Sequence, residues 1–200
     1  MSLTNIEEIA TFIVADGKGI LAADESNPTC GKRFDSIGVD STEENRRDYR
    51  ELLFRSKGMK GNIGGVILFD ETIRQKAKDG TLLRDIISDQ GALPGIKVDK
   101  GLQPIEDCPN ETVTVGLDGL DERLKEYSSM GAKFTKWRAV INIGDGIPTD
   151  KCIEANIQAL ADYAKCAQDN GMVPIVEPEV LMDGEHNIDQ CFEATERSLK

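Results

Sequence analysis

Apolar residues along this chain alternate between two spacings. Near the start, isoleucines recur every three or four positions, which predicts a helix, and Thr4 with Glu7 matches a capping box at its beginning. Gly17 marks the end of this helix. Short apolar runs typical of buried strands follow at residues 19–23, 65–69, 95–99, 132–140 and 172–180. The pattern predicts five strands separated by helices.

Helical spacing fills the segments between these strands. Ser41 with Glu44 matches a second capping box, before a helix through Tyr49, Leu52 and Leu53. Further helices are predicted at residues 82–87 and 117–127, and Gly131 marks the end of the second of these. A longer helix is predicted from its cap at Thr149 to Asn170 and Gly171, and another begins at the end of the chain. Because parallel strands need helix-length crossovers, the alternation predicts an α/β fold with a parallel sheet.

Two architectures fit this alternation, an open doubly wound sheet and a (β/α)₈ barrel. The chain lacks the G-x-G-x-x-G and G-x-x-x-x-G-K-[ST] loops that often accompany nucleotide sites on open sheets. Strands buried on both faces should be almost entirely apolar, yet several of these carry charge near their ends. The charged residues are Asp24 and Glu25, Lys97 and Asp99, Lys136 and Arg138, and Glu177 and Glu179.

The charges favour the barrel. A strand's period of two places each charged pair on one face, and barrel enzymes keep their active sites at the carboxyl ends of the strands. Lysines, an arginine and carboxylates together suit proton transfer on an anionic substrate. Simpler interpretations stay open: a strand lysine can be an exposed edge residue, Glu177 and Glu179 can belong to a solvated loop between prolines, and residues 24–26 can cap a helix.

Composition narrows the function classes. A formal net charge of −12 argues against a nucleic-acid-binding protein, and no apolar run approaches the roughly 18 residues of a membrane span. The amino-terminal stretch lacks the basic region of a signal peptide, and the five scattered cysteines predict free thiols in a reducing cytoplasm. His186 is the single histidine, which argues against a Ser-His-Asp site or a multi-histidine zinc site.

Seven ordered segments make the chain resemble class I, Schiff-base fructose-bisphosphate aldolases. They are GKGILAADES, TEENRRDYRELL, GGVILFDET, GIKVDKG, GLDGL, AKFTKWR and PIVEPEV, and the resemblance runs from about Ile13 to the last residue. It implies a (β/α)₈ barrel that cleaves fructose 1,6-bisphosphate to dihydroxyacetone phosphate and glyceraldehyde 3-phosphate without a metal or cofactor. Residues 1–200 would hold about the first five β/α units of a single barrel, incomplete at the carboxyl terminus.

The resemblance also implies catalytic roles for four residues. Asp24 would orient the substrate and assist proton transfer during carbon–carbon cleavage. Glu177 would be the general acid and base for imine formation, and Glu179 would be its partner, pairing with a lysine. Lys136 would contact substrate oxygens and, by like-charge repulsion, keep the pKa of the imine-forming lysine low.

Five more positions are implied to bind substrate. Lys97 would lie near the substrate and help set the charge of the site, and Arg138 would hold hydroxyl or phosphate oxygens. Ser26, Lys32 and Arg33 would lie near the distal phosphate. The full-length form is expected to be a homo-oligomer, commonly a tetramer in this family.

The chain departs from the family at its end. The family's imine-forming lysine lies on strand six, beyond Lys200, so we expect the 200-residue chain alone to be inactive. Five strands cannot close an eight-stranded barrel, which typically needs ~250 residues. An alternative is therefore a non-catalytic half-barrel that binds sugar phosphates or assembles with another chain. A transaldolase would share the chemistry, but not the spacing of LAADES, KVDKG and VEPE.

Overall fold

The computed structural model describes Leu3 and residues 5–200 of the chain. The helices are α1 (Ile6–Ile13), α2 (Asn27–Asp35), α3 (Glu43–Phe54), α4 (Asp70–Arg74), α5 (Leu83–Asp89), α6 (Leu120–Ser129), α7 (Asp150–Asp169) and α8 (Ile188–Leu199). The strands are β1 (Gly19–Ala23), β2 (Ile63–Leu68), β3 (Leu93–Lys97), β4 (Leu102–Pro104), β5 (Thr112–Thr114), β6 (Phe134–Ile141) and β7 (Val173–Val180).

Five of the strands form one sheet in the order β1-β2-β3-β6-β7. The pairs β1–β2 and β2–β3 are parallel, with Ala23 opposite Leu68 and Leu68 opposite Ile96. Strands β4 and β5 form a separate antiparallel pair. All five strands predicted from the apolar runs are present, and the predicted α/β class with a parallel sheet is confirmed.

The chain divides into two compact units. The first comprises residues up to Lys97 with Lys125–Thr135 and Gly171–Val173, and the second comprises Val98–Leu124, Lys136–Asn170 and Pro174–Lys200. The division passes through strands β6 and β7, so each unit holds part of both.

Close packing on glycine organises the core of the first unit. The Phe134 ring packs directly on the backbone of β2 and β3 at Gly65 and Gly95, which have no side chains. A Cβ added at Gly65 would lie 2.8 Å from the ring, and one added at Gly95 would lie 2.3 Å from it. Real Cβ atoms do not approach this closely, so only glycine fits under the ring. The two glycines thus set how deeply Phe134 is buried in the sheet.

The second unit is built around helix α7. Its Tyr163 ring stacks on Trp137 of β6 with centroids 5.3 Å apart, and both side chains are fully buried. The buried Asn156 amide ties the same helix to the β4–β5 pair, accepting from Thr114 N at 3.2 Å and donating to Thr112 O at 2.8 Å. Helix α7 therefore connects the sheet to the small antiparallel pair.

The helix caps differ in part from the sequence prediction. Thr149 caps α7 as predicted, its hydroxyl accepting from Cys152 N at 3.2 Å. The Ser41–Glu44 capping box is wrong: Thr42 caps α3 and accepts from Asn45 N at 3.1 Å, while the carbonyl and hydroxyl oxygens of Ser41 accept from Arg46.

The first helix has a different cap as well. Thr4, named in the predicted Thr4–Glu7 box, lies outside the described residues. In the structure Asn5 caps α1 and accepts from Glu8 N at 2.8 Å. A neighbouring residue thus provides a capping oxygen, one position later than the sequence pattern indicated.

Element boundaries also shift. Strand β3 begins at Leu93, two residues before the predicted start. The prediction started too late because Pro94 has no N–H to donate and is therefore a weak strand signal in sequence. Helix α6 begins at Leu120, so Leu117 precedes it rather than belonging to it. Helices α2 and α4 and the β4–β5 pair were not placed by the apolar pattern.

Among the described residues, none of the helices combines the length and apolar character that crossing a bilayer requires.

Candidate active site

In the first unit, a segment bearing Asp24 follows the carboxyl end of β1. Asp24 is buried, and the fully buried Arg50 of α3 reaches the backbone on both sides of it. Arg50 Nε donates to Ala23 O at 3.2 Å, and Nη2 donates to Glu25 O at 2.7 Å. The backbone around Asp24, which the sequence predicts to be catalytic, is therefore hydrogen-bonded to the buried Arg50.

Glu25 is the hub of the surrounding side chains. Its Oε1 accepts from Tyr49 OH at 3.1 Å and from Arg33 Nη1, and its Oε2 accepts from Arg50 Nη2 at 3.2 Å. The negative charge of Glu25 is the main cause of the raised pKa of Arg33. Burial is the main cause of the raised pKa of Tyr49, with the Glu25 charge adding to it. These groups form one hydrogen-bonded cluster beside Asp24.

Helix α2 carries the three residues predicted near a phosphate. Ser26 occupies the N-cap position, with its hydroxyl 3.0 Å from that of Thr29, while Lys32 and Arg33 lie in the last turn. Ser26 does not cap the helix through its side chain. The first turn contains no acidic residue, so the positive end of the helix dipole is not offset there.

Lys97 is the last residue of β3 and is half-buried. The first unit thus places Asp24 and Lys97 at or just beyond the carboxyl ends of strands, as the sequence predicted, and Ser26 lies two residues after Asp24.

In the second unit, adjacent strands bring two pairs of opposite charge together. Lys136 Nζ of β6 lies 3.2 Å from Glu177 Oε2 of β7, and the Arg138 guanidinium contacts the Glu179 carboxylate. The spacing of two along each strand places both pairs on one face. Position 179 differs in detail from the prediction, because its partner is an arginine where a lysine was expected.

The side chains of these two pairs differ in how much of their surface is exposed to solvent. The Lys136 side chain is 10% exposed and that of Glu177 is 36% exposed, while Arg138 and Glu179 are 41% and 43% exposed. Glu177 and Glu179 lie within β7, so the solvated-loop interpretation of these residues is wrong. A solvent-accessible carboxylate next to a buried ammonium group can exchange protons with a bound molecule.

The sequence placed Glu25 among the charges at the strand ends without giving it a role, and it did not indicate Tyr49 or Arg50 as members of a site. A signal was present in helix α3, because Arg46, Arg50 and Phe54 recur every four residues and form its buried face. Of the two leucines that marked this helix in the sequence, Leu52 is 73% exposed and Leu53 is half-buried. In this helix, the spacing of the polar residues therefore indicated the buried face better than Leu52 did.

The described residues contain no cluster of three or more His, Cys, Asp or Glu side chains that could hold a metal ion. Within the second unit Lys136 and Arg138 are paired with carboxylates, and within the first unit Glu25 is paired with two arginines and a tyrosine.

Comparison with known proteins gives a consistent result. The family model described as fructose-bisphosphate aldolase class-I matches residues 5–200. A probable fructose-bisphosphate aldolase class 1 of Xanthomonas campestris is 56% identical over 200 residues, and the chain covers 60% of it. Cytosolic fructose-bisphosphate aldolase 4 of Arabidopsis thaliana is 53% identical over 190 residues, with 95% of this chain and 48% of the relative covered.

A solved structure agrees with the sequence matches. Fructose-bisphosphate aldolase of Plasmodium falciparum, in complex with TRAP and a small-molecule inhibitor, superposes with a TM-score of 0.93 at 49% identity. The alignment covers 96% of this chain and 56% of that one. The match confirms the predicted fold, a parallel sheet that forms part of a barrel. The chain spans 60% or less of the length of these relatives.

Proposed function

The chain belongs to the class I fructose-bisphosphate aldolase family, and from this premise we propose that the whole protein cleaves fructose 1,6-bisphosphate reversibly to dihydroxyacetone phosphate and glyceraldehyde 3-phosphate. The observation that carries the proposal is the Lys136–Glu177 pair on adjacent strands. It combines a buried positive charge with an accessible carboxyl group, as carbonyl chemistry on an anionic sugar requires.

The proposed reaction uses a lysine supplied by chain beyond residue 200. Its amine adds to the ketose carbonyl, and Glu177 protonates the departing hydroxyl so that water leaves and an iminium remains. When the C3–C4 bond breaks, its electron pair moves into the iminium to give an enamine. The proton of the C4 hydroxyl passes to Asp24 as the aldehyde forms. Without the iminium the electron pair would have no acceptor.

The remaining residues would bind the substrate. The dipole of α2 supports a phosphate near Ser26, with Lys32 and Arg33 adding positive charge. Lys97 would contribute charge near the substrate, and Arg138, oriented by Glu179, would hold hydroxyl or phosphate oxygens. We further propose a cytoplasmic homo-oligomer, commonly a tetramer in this family, that needs neither metal nor cofactor.

Borohydride trapping tests the proposal. The protein is isolated from its native source, and its intact mass is compared with the 21.9 kDa of this chain. It is then incubated with dihydroxyacetone phosphate and sodium borohydride. We expect irreversible loss of cleavage activity, one reduced adduct per chain on a lysine outside residues 1–200, and full activity in a metal chelator before reduction.

Other outcomes identify the alternatives. Cleavage that stops in the chelator and leaves no adduct would overturn the imine mechanism. An adduct on Lys97 or Lys136 would overturn the roles given to them. Protection by sugar phosphates without turnover or adduct would indicate the non-catalytic half-barrel.

A further inference from the structure

We propose that Arg50 is a positioning residue for the Asp24 carboxyl group, holding the backbone on both sides of it in the geometry that cleavage requires. The inference rests on the proposed function, because it takes Asp24 as the group that receives the C4 hydroxyl proton. It adds a residue of helix α3 to the machinery of that step.

The first support is the placement of the hydrogen bonds. One guanidinium group binds the carbonyl before Asp24 and the carbonyl after it, Ala23 O at 3.2 Å and Glu25 O at 2.7 Å. The Ala23 carbonyl belongs to the peptide that joins Ala23 to Asp24, and the Glu25 carbonyl belongs to the peptide that joins Glu25 to Ser26. Holding both fixes the two ends of the Asp24–Glu25 segment, which restricts backbone rotation at position 24, and the side chain inherits that orientation.

The second support is charge balance. Arg50 is 1% exposed, and a buried guanidinium is costly unless it is paired and hydrogen-bonded. Glu25 Oε2 lies 3.2 Å from Nη2 and supplies the opposite charge. Glu25 itself is held by Tyr49 and Arg33. The segment that follows β1 is therefore fixed through its backbone and through its side chain at once.

The third support is the shape of the group. Nε and Nη2 are separate donors on one rigid plane, so a single arginine can reach two carbonyls. A lysine at position 50 would keep the charge but present a single ammonium group on a flexible stem. The geometry thus specifies arginine and not simply a cation.

A matched control lies one turn earlier on the same helix face. Arg46 is 8% exposed and also hydrogen-bonded, but its partners are Glu71, with Nη2 2.6 Å from Oε1, and Ser41. Replacing Arg46 with lysine disturbs a buried ion pair of α3 without removing a bond to the segment around Asp24.

The experiment is a double-mutant cycle in the complete protein, with kcat and KM for fructose 1,6-bisphosphate cleavage as readouts. Arg50→Lys is expected to lower kcat by about 10- to 100-fold, because small misplacements of a reacting group cost this much. KM should stay within about twofold, and the rate of borohydride trapping by dihydroxyacetone phosphate should not change. In the Asp24→Asn background, Arg50→Lys should cost less than about twofold.

The control and the contrary outcomes are defined by the same cycle. Arg46→Lys should combine multiplicatively with Asp24→Asn, since those effects are independent. Multiplicative effects of Arg50→Lys and Asp24→Asn would make Arg50 merely structural and overturn the proposal. An unchanged kcat in Asp24→Asn would also overturn it, while leaving the imine mechanism to the trapping result. If Arg50→Lys does not fold, Arg50→Gln, which retains one donor group, takes its place in the cycle.

Discussion

At the scale of single residues, the two side chains of the Lys136–Glu177 pair differ in their exposure to solvent. Lys136 is mostly buried and supplies fixed positive charge, whereas Glu177 keeps about a third of its side chain accessible. A group that passes protons to a substrate must be reachable by it, while a group that sets the local charge need not be. Exposure therefore supports Glu177, more than Lys136, as the acid and base of the proposed reaction.

Glu177→Gln tests this assignment. In the complete protein the amide preserves the shape of the side chain but cannot donate a carboxyl proton to the departing hydroxyl. Imine formation should slow by about 100-fold, within the range that general acid–base groups contribute. The measurement is the rate of borohydride trapping with dihydroxyacetone phosphate, alongside the dissociation constant of the substrate, which should change by less than about threefold.

Glu154→Gln is the control for this substitution. Glu154 is an exposed residue of α7, so its loss removes the same charge from the surface without touching the β6–β7 pairs. Trapping should proceed at the normal rate in this variant. If Glu177→Gln trapped the imine as fast as the control, Glu177 would not be the acid for that step.

At the scale of secondary-structure elements, Asn156 joins helix α7 to the β4–β5 pair through two hydrogen bonds. Its amide accepts from Thr114 N and donates to Thr112 O of β5, it also donates to Cys152 O within α7, and the side chain is fully buried. Because strands of three residues have little stability of their own, this pair depends on the helix beneath it.

Asn156→Ala should be strongly destabilising. The change leaves the buried Thr114 N–H without the partner that Asn156 provides, and it leaves the half-buried Thr112 carbonyl with only the Cys152 thiol at 3.9 Å. An unpaired buried polar group costs about 1–3 kcal/mol. We expect a loss of about 3 kcal/mol in the free energy of unfolding, measured by urea denaturation at constant m value. Gln158→Ala, on the exposed face of the same helix, should change it by less than about 0.5 kcal/mol. A loss below about 1 kcal/mol for Asn156→Ala would contradict this account of the β4–β5 pair.

The elements that could be predicted from sequence are those with a strong apolar signal. The run Gly-Ile-Leu-Ala-Ala gave β1 with its correct bounds, and Thr149 correctly marked the start of α7. The β4–β5 pair was missed because Leu102–Pro104 is exposed throughout and too short to show a period. The sequence indicated helix α2 only indirectly, through the possibility that residues 24–26 cap a helix. The reason is that its own residues are mostly polar.

Site residues were predictable where they interrupt an apolar strand. Lys136 and Glu177 are conspicuous for that reason, and the structure pairs them. Arg50 was not identified, because on a helix a charged residue is ordinary and only the fold reveals which face is buried. The role proposed for Arg50 depends on its hydrogen bonds to two backbone carbonyls, and a sequence pattern carries no information about which backbone atoms a side chain reaches.

At the scale of the whole molecule, the sheet has two strands with a single neighbour each, β1 and β7. The N–H groups of Val173 and Leu181 donate to Lys133 and Ile141, on the β6 side. In a parallel strand alternate residues face opposite neighbours, so the even-numbered positions from 174 to 180 face the open side. Pro174 and Pro178 occupy two of these four positions and have no N–H to offer.

The open edge of β7 therefore presents donors at Val176 and Val180, and their exchange with solvent is a test of what covers that edge. In the 200-residue polypeptide, the amide hydrogens of these two valines should exchange at least ~100-fold faster than those of Ile175 and Glu177, which face β6. In a protein of the relatives' length, further chain is available to pair with this edge, and Val176 and Val180 should become as protected as their neighbours. Hydrogen exchange followed by NMR at single residues gives both comparisons. Equal protection of Val176 and Ile175 in the 200-residue polypeptide would instead mean that its open edge pairs with a second copy, because exposed strand edges associate when nothing else covers them.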